Sequence, residues 1–93
     1  MNLFSSEKLA QFLPKVAQIL EENIYPLEAQ YLNVPFSNVV PELEKIRTLV
    51  QERGLWNAHL SEAHGGLGFN LVEFGQISEL LGRSPYGHYC FNC

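Results

Sequence analysis

The sequence has no aspartate; its ten acidic residues are all glutamates. Positive charge is also sparse. Six lysines and arginines are scattered along 93 residues, for a net charge of −4. No cluster of them would follow a phosphate backbone, which argues against nucleic-acid binding. The apolar runs are only a few residues long, far short of the roughly 20 needed to cross a bilayer. No basic, apolar, small-residue leader opens the chain, so the expected compartment is the cytoplasm, or the mitochondrial matrix in a eukaryote. Only two cysteines occur, Cys90 and Cys93 in "YCFNC". A C-x-x-C pair is read as half a zinc site, as a redox dithiol or as two reduced thiols that happen to be three apart. The zinc reading lacks companion histidine spacing. The redox reading lacks a strand before the pair and a helix dipole behind it. Two reduced thiols is the expectation, with no metal site.

What is present belongs to an ordinary globular domain, 46% apolar and 17% charged. A chain of this length makes one small domain and buries roughly 60–65% of its unfolded surface, a marginal core. No convincing strand alternation appears. Leu9, Phe12, Leu13, Val16, Ile19, Leu20, Ile24, Leu27 and Tyr31 fall in steps of three and four along one helical stripe. Ser5 or Ser6 caps its start, and Glu7 suits the positive end of the dipole. Pro14 reads as the first residue of the main helix or as a kink in a longer one. The stripe runs on past Pro26 to Tyr31, so a kink or a loose last turn is expected there.

"LNVPFSNVV", residues 32–40, reads as a connection, with Pro35 and Asn38 as breakers. A second helix opens at Pro41, with Leu43, Ile46, Leu49 and Val50 inward and Glu42, Glu44, Lys45, Arg47 and Glu52 outward. Gly54 stops it through a left-handed turn, and Leu55 folds back on the last turn. A third helix is capped by Asn70 with Glu73 three positions on, a capping-box spacing. Its apolar face is Leu71, Phe74, Ile77, Leu80 and Leu81, and Gly82 ends it. After "GRSP", residues 86–93 start a helical stub. The expected fold is all-α: three main helices and a C-terminal stub.

The chemistry-bearing candidates are few. "SEAHGGLGFNLVEF", residues 61–74, places three glycines in four residues before a helix. Such a loop invites a phosphate, but a dinucleotide fingerprint needs a third spaced glycine after a buried strand. A P-loop needs Lys and Ser or Thr after the last glycine, and neither follows Gly68. The reading is a tight turn into a capped helix. His59 and His64 have no nucleophile or positioned acid nearby in sequence, and the glutamates read as solvated helix faces. Trp56 and Tyr86 read as packing residues. On residue chemistry alone, no catalytic or cofactor-binding residue is assigned.

As a pattern, however, "GLWNAHLSEAHGGLGFNLVEFGQISELLGRSP", residues 54–85, resembles the N-terminal α-helical domain of the acyl-CoA dehydrogenase family. There a G-L-x-x-x-x-x-P-E-x-x-G-G-L-G-like loop joins two helices, and an E-E-L-G-like helix end follows. "ILEENIYPLEAQY" is similar to the family's first helix, which also carries a proline, and "FNC" resembles a subgroup in which it runs on into a continuing helix. The resemblance covers roughly residues 12–93. One departure is Ser61 where the family often has proline before the loop glutamate.

The resemblance implies that residues 1–93 form a truncated N-terminal helical domain of an FAD-dependent oxidoreductase. Family members dehydrogenate the α,β carbons of acyl-CoA thioesters. They add a middle β-domain and a C-terminal helical domain. A glutamate base takes the α proton and the flavin takes the β hydride; none of the ten glutamates here matches that base. The chain alone is therefore expected to be inactive and to bind no FAD. Acyl-CoA would bind only the complete enzyme, and apolar faces left for the missing domains would drive self-association. The helix after "GRSP" walls the acyl pocket in the family, which carries over to Tyr89 and Cys93, one turn apart on one face. The rival reading is a stand-alone helical interaction module or small partner subunit.

Overall fold

A computed structural model describes residues 6–93; Ser5, one of the two candidate caps, lies outside the described residues. The order is α1 (Glu7–Ile19), a π turn (Leu20–Ile24), α2 (Tyr25–Gln30), α3 (Phe36–Glu52), a short 3-10 turn (Glu62–His64), α4 (Leu71–Leu81) and α5 (Gly87–Phe91). Among the described residues there is no strand, and no helix is long and apolar enough to cross a membrane. The all-α expectation holds. α1, the π turn and α2 form the first rod, α3 the second, α4 the third and α5 the stub.

Ser6 caps α1: its hydroxyl oxygen accepts from the Leu9 amide at 3.0 Å. Both prolines of the first rod sit inside it. Pro14 lies within α1 on the exposed side. The carbonyl it leaves free, that of Ala10 four residues back, also belongs to an exposed residue that water can reach. Just ahead of Pro26 the helix widens into the π turn, with the Tyr25 amide reaching back five residues to the Leu20 carbonyl. Kinks at proline and wide turns are the usual ways a helix absorbs such a residue. Leu9, Phe12, Val16, Ile19, Leu20, Ile24 and Leu27 are all buried, as the stripe requires.

The second helix begins earlier than its sequence suggests. α3 starts at Phe36, not Pro41, so Pro41 lies inside it and the connection shrinks to residues 31–35. Two facts account for this. Val39 is buried in the core, which draws the preceding turn into the helix. The carbonyl that Pro41 leaves unpaired belongs to Ser37, an exposed residue in the first turn, where the loss is small. The other end follows the expectation closely. Gly54 adopts φ +71°, its amide donates to the Gln51 carbonyl at 3.1 Å, and the Leu55 amide donates to Val50 at 3.0 Å. Those two bonds make a Schellman motif, and Leu55 folds back into the core.

α4 carries the full capping box. The Asn70 side chain accepts from the Glu73 amide at 2.8 Å, and the Glu73 carboxylate accepts from the Asn70 amide at 3.1 Å. Glu73 also accepts from the Ser6 hydroxyl, which ties the start of α4 to the start of α1. These bonds hold the Glu73 carboxyl below its ordinary range, the Ser6 hydroxyl contributing most. Ile77 and Leu81 are buried and Phe74 and Leu80 pack partly against the core, but Leu71 is 86% exposed. The apolar face thus starts one turn later than the spacing implies. α5 packs on α3 and α4, with Cys90 and Phe91 buried.

Candidate functional site

The glycine loop and the stub both converge on the segment after α3. Asn57 turns the chain there with φ +59°. Its carbonyl accepts from Leu60 at 3.1 Å and from Leu67 at 3.3 Å, which pinches the loop shut. Within it, the amide of Gly65 donates to Glu62, that of Gly66 to Ser61 and that of Gly68 to Leu60. Gly66 passes so close to Leu60 that an added Cβ would run into the Leu60 carbonyl. Gly65 and Gly68 have positive φ. All four amides from Gly65 to Gly68 therefore point at carbonyls of their own loop. The N-terminus of α4 is closed by Asn70. The loop does not fit a dinucleotide pyrophosphate, which needs those amides turned outward.

The stub is held by one side chain above all. The Arg47 guanidinium lies between two rings, 4.6 Å from the Trp56 centroid and 4.4 Å from that of Tyr89. It donates to the Tyr89 carbonyl and, at 3.5 Å, to the Asn92 side-chain oxygen. Its Nε stands 3.6 Å from the Glu44 carboxylate. The Tyr89 hydroxyl donates to the same carboxylate. That bond to an acceptor pushes the tyrosine's pKa above its ordinary value. Phe36 meets Tyr89 edge-on at 5.6 Å. Ser84, buried in the corner between α4 and α5, accepts from the Tyr86 amide at 3.1 Å.

Tyr89 and Cys93 do not share a face here. α5 runs to Phe91, and Asn92 takes φ +56°. Tyr89 turns to α3, while Cys93 comes back against the backbone of Ala58 and His59. The Cys93 amide donates to His88 at 2.9 Å and the Asn92 amide to Tyr89 at 3.3 Å. Asn92 also donates through its side chain to Asn57, linking the stub to the loop.

Cys90 and Cys93 are both free thiols. Burial pushes Cys90 up to about 12 and raises Cys93 as well, the opposite of an activated redox dithiol. Among the described residues no three His, Cys, Asp or Glu side chains gather as metal ligands. His59 and His64 are exposed; His64 Nδ1 lies 2.8 Å from the Ser61 hydroxyl and His59 stacks loosely on Phe74 at 5.8 Å. Trp56 and Tyr86 are half-buried, packed against the core.

Sequence reasoning missed Arg47, assigned to the outer face of α3, and Ser84. Arginine at 47 is separated from Trp56 and Tyr89 by too many residues for any local signal to connect them. The one hint available was that three aromatic side chains near the end of the chain needed a partner.

No family model matches the chain, and no solved structure does. Two curated proteins do. A probable acyl-CoA dehydrogenase, IBR3 of Arabidopsis thaliana, is 25% identical over 95% of this chain. Acyl-CoA dehydrogenase family member 10 of Mus musculus is 28% identical over the same share. The chain spans only 14% and 9% of the length of these relatives. Together with the all-α fold, this bears out the resemblance read from the glycine loop and its flanks: along nearly its whole length the chain is similar to a short stretch of acyl-CoA dehydrogenase-family proteins.

Proposed function

We propose that the chain is the N-terminal helical segment of an FAD-dependent acyl-CoA dehydrogenase-like oxidoreductase, inactive by itself. The observation that carries this is the coincidence of coverage and geometry. The similarity runs across 95% of this chain but a small part of each relative, and the loop that marks the family is a structural joint with its amides already used. The loop amides are turned inward, which supports a reading in which FAD and the catalytic base belong to the β-domain and C-terminal helical domain of the parent enzyme. Acyl-CoA binds only when those are present.

In this reading the stub walls the acyl-chain pocket, with Tyr89 on α5 and Cys93 just beyond its end as the residues nearest the acyl chain. The exposed apolar side chains Leu32, Phe36 and Leu71 are surface that the other domains cover. Left bare, they favour self-association. Incubating the 93-residue chain with acyl-CoA, FAD and an artificial electron acceptor gives no dye reduction; turnover by this chain alone would overturn the proposal. A longer chain that continues through both the β-domain and the C-terminal helical domain, assayed the same way, gives dye reduction.

A further inference from the structure

Three of the chain's six basic side chains line one hollow. Lys8 and Lys15 lie two turns apart on α1, and Arg53 caps the end of α3. Between them is a space of about 200 Å³ with Phe12, Leu55 and Phe69 in its floor and no carboxylate in its lining. Two of the other three cations have acids beside them: Lys45 meets Glu42 at 3.2 Å, and Arg47 meets Glu44, while Lys8 of the hollow feels the Glu73 carboxylate from outside its lining. Lys15 and Arg53 are exposed and belong to no ion pair among the described residues. Arg53 alone would be explained by its place at the negative end of a helix. Lys8 is different, since the first turn of a helix disfavours a cation. It is held by donating to the Leu67 carbonyl and by lying 4.5 Å from the Phe69 ring centroid.

We propose that this hollow docks an acidic peptide segment, which inserts one large apolar side chain and sets flanking carboxylates against Lys8, Lys15 and Arg53. Size decides against a small-molecule site, since such pockets run from roughly 300 to 1,000 Å³. The hollow is on the scale of one large side chain. An apolar centre with a charged rim is the anatomy of a protein contact. Charge decides the partner's chemistry. Like charges gathered on one rim repel one another until an anion neutralises them. In a chain of net charge −4, this is a local field that draws carboxylates in. Neither a flavin nor an acyl thioester enters the argument, so it stands or falls apart from the oxidoreductase reading.

The test is fluorescence anisotropy of the 93-residue chain with a short labelled peptide whose central phenylalanine is flanked by glutamates. The expected result is saturable binding that weakens as salt is raised. Lys15→Glu and Arg53→Glu should each weaken it by about fivefold, and the pair together by more than about tenfold. Lys45→Glu, the same charge change outside the hollow, should leave it unaltered. Replacing the phenylalanine by alanine should also weaken binding. Circular dichroism of each variant separates lost binding from lost fold. Four outcomes overturn the proposal: equal binding of the peptide with lysines for glutamates, undiminished binding by the folded double variant, full competition by tripolyphosphate with no need for the phenylalanine, or assembly of the free chain through the same cations. The third would assign the hollow to small anions, and the fourth to a second copy of the chain.

Discussion

The glycine-loop half of the molecule and the α5 half are joined in different ways. In the first, backbone groups are satisfied locally: loop amides bond loop carbonyls, and the side chains of Asn70 and Glu73 each accept from the other's backbone amide. In the second, a helix of only five residues is held by one arginine, three rings and two asparagines reaching across the chain. Backbone closure depends on residue types at fixed local spacing. Side-chain closure depends on groups brought together from residues 36, 47, 56, 89 and 92. The first kind of joint resists change except at the few positions where only one residue fits. The second loses its hold when its central member goes.

Four substitutions probe that contrast, read by urea unfolding. Gly66→Ala drives a methyl group into the Leu60 carbonyl and is expected to cost about 3 kcal/mol, the upper range for overpacking. Gly75→Ala is its control. It meets open space inside α4 and should stabilise by roughly 0.5–1 kcal/mol through helix propensity. A neutral result at Gly66 would mean the loop is looser than its hydrogen bonds imply. Next, Arg47→Leu should cost about 2 kcal/mol, because the Tyr89 carbonyl loses a charged donor and two rings lose their cation. Trp56 emission, reporting on the guanidinium above the ring, should change in the same variant. If stability and emission both hold, the arginine is not what fastens the stub. The smaller effect is Asn70→Ala, about 1 kcal/mol for a lost cap. Acid should weaken the wild-type chain and this variant alike, because the Glu73 carboxylate bonds the residue-70 backbone amide and the Ser6 hydroxyl, which both keep. Glu73 is held below its ordinary pKa in the folded chain, so its share of stability is present above that range and is lost as pH falls through the folded value.

At neutral pH no effect is expected from the buried thiol of the second region; its effect is confined to alkaline solution. Cys90 binds its proton more tightly in the folded chain than in the unfolded one, rising from 9.0 to about 12. Its contribution is therefore complete below pH 9 and is lost as the pH climbs toward 12. The melting temperature of the wild-type chain should fall over that window, and less steeply in Cys90→Ala. A thiol reagent at neutral pH should label the half-buried Cys93 before Cys90. Equal labelling rates would show that α5 opens freely.

Legibility divides along the same line. The Gly54 stop, the Asn70–Glu73 box and the stripe from Leu9 to Leu27 each depend on neighbours within a few residues, and all are found as read. Pro41 looks like a first residue, yet α3 starts at Phe36, because burial of Val39 overrides that preference. Leu71 fits the α4 periodicity yet lies outside, since periodicity marks a face without saying how far along the helix a neighbour extends. Asn92 gave no warning that it would turn left-handed and part Cys93 from Tyr89. Arg47 looked like one more charge on an exposed face. Its position is decided by aromatic side chains that the chain delivers only after it has folded back.

The wide turn at residues 20–24 has a consequence for how the first rod tolerates change. Steps of four residues, as from Val16 to Leu20 to Ile24, advance about 40° beyond a full turn on a helix of 3.6 residues per turn. Two such steps would carry Ile24 about 80° around the axis, toward solvent. A turn closed by five-residue bonds takes up that excess, and Ile24 and Leu27 stay buried. The rod thus carries a phase correction at its midpoint. Deleting one residue there would let the five-residue bond close as an ordinary four-residue one and leave Leu27 and Tyr31 near their places, whereas the same deletion in the regular helix of α1 would rotate everything downstream by about 100°.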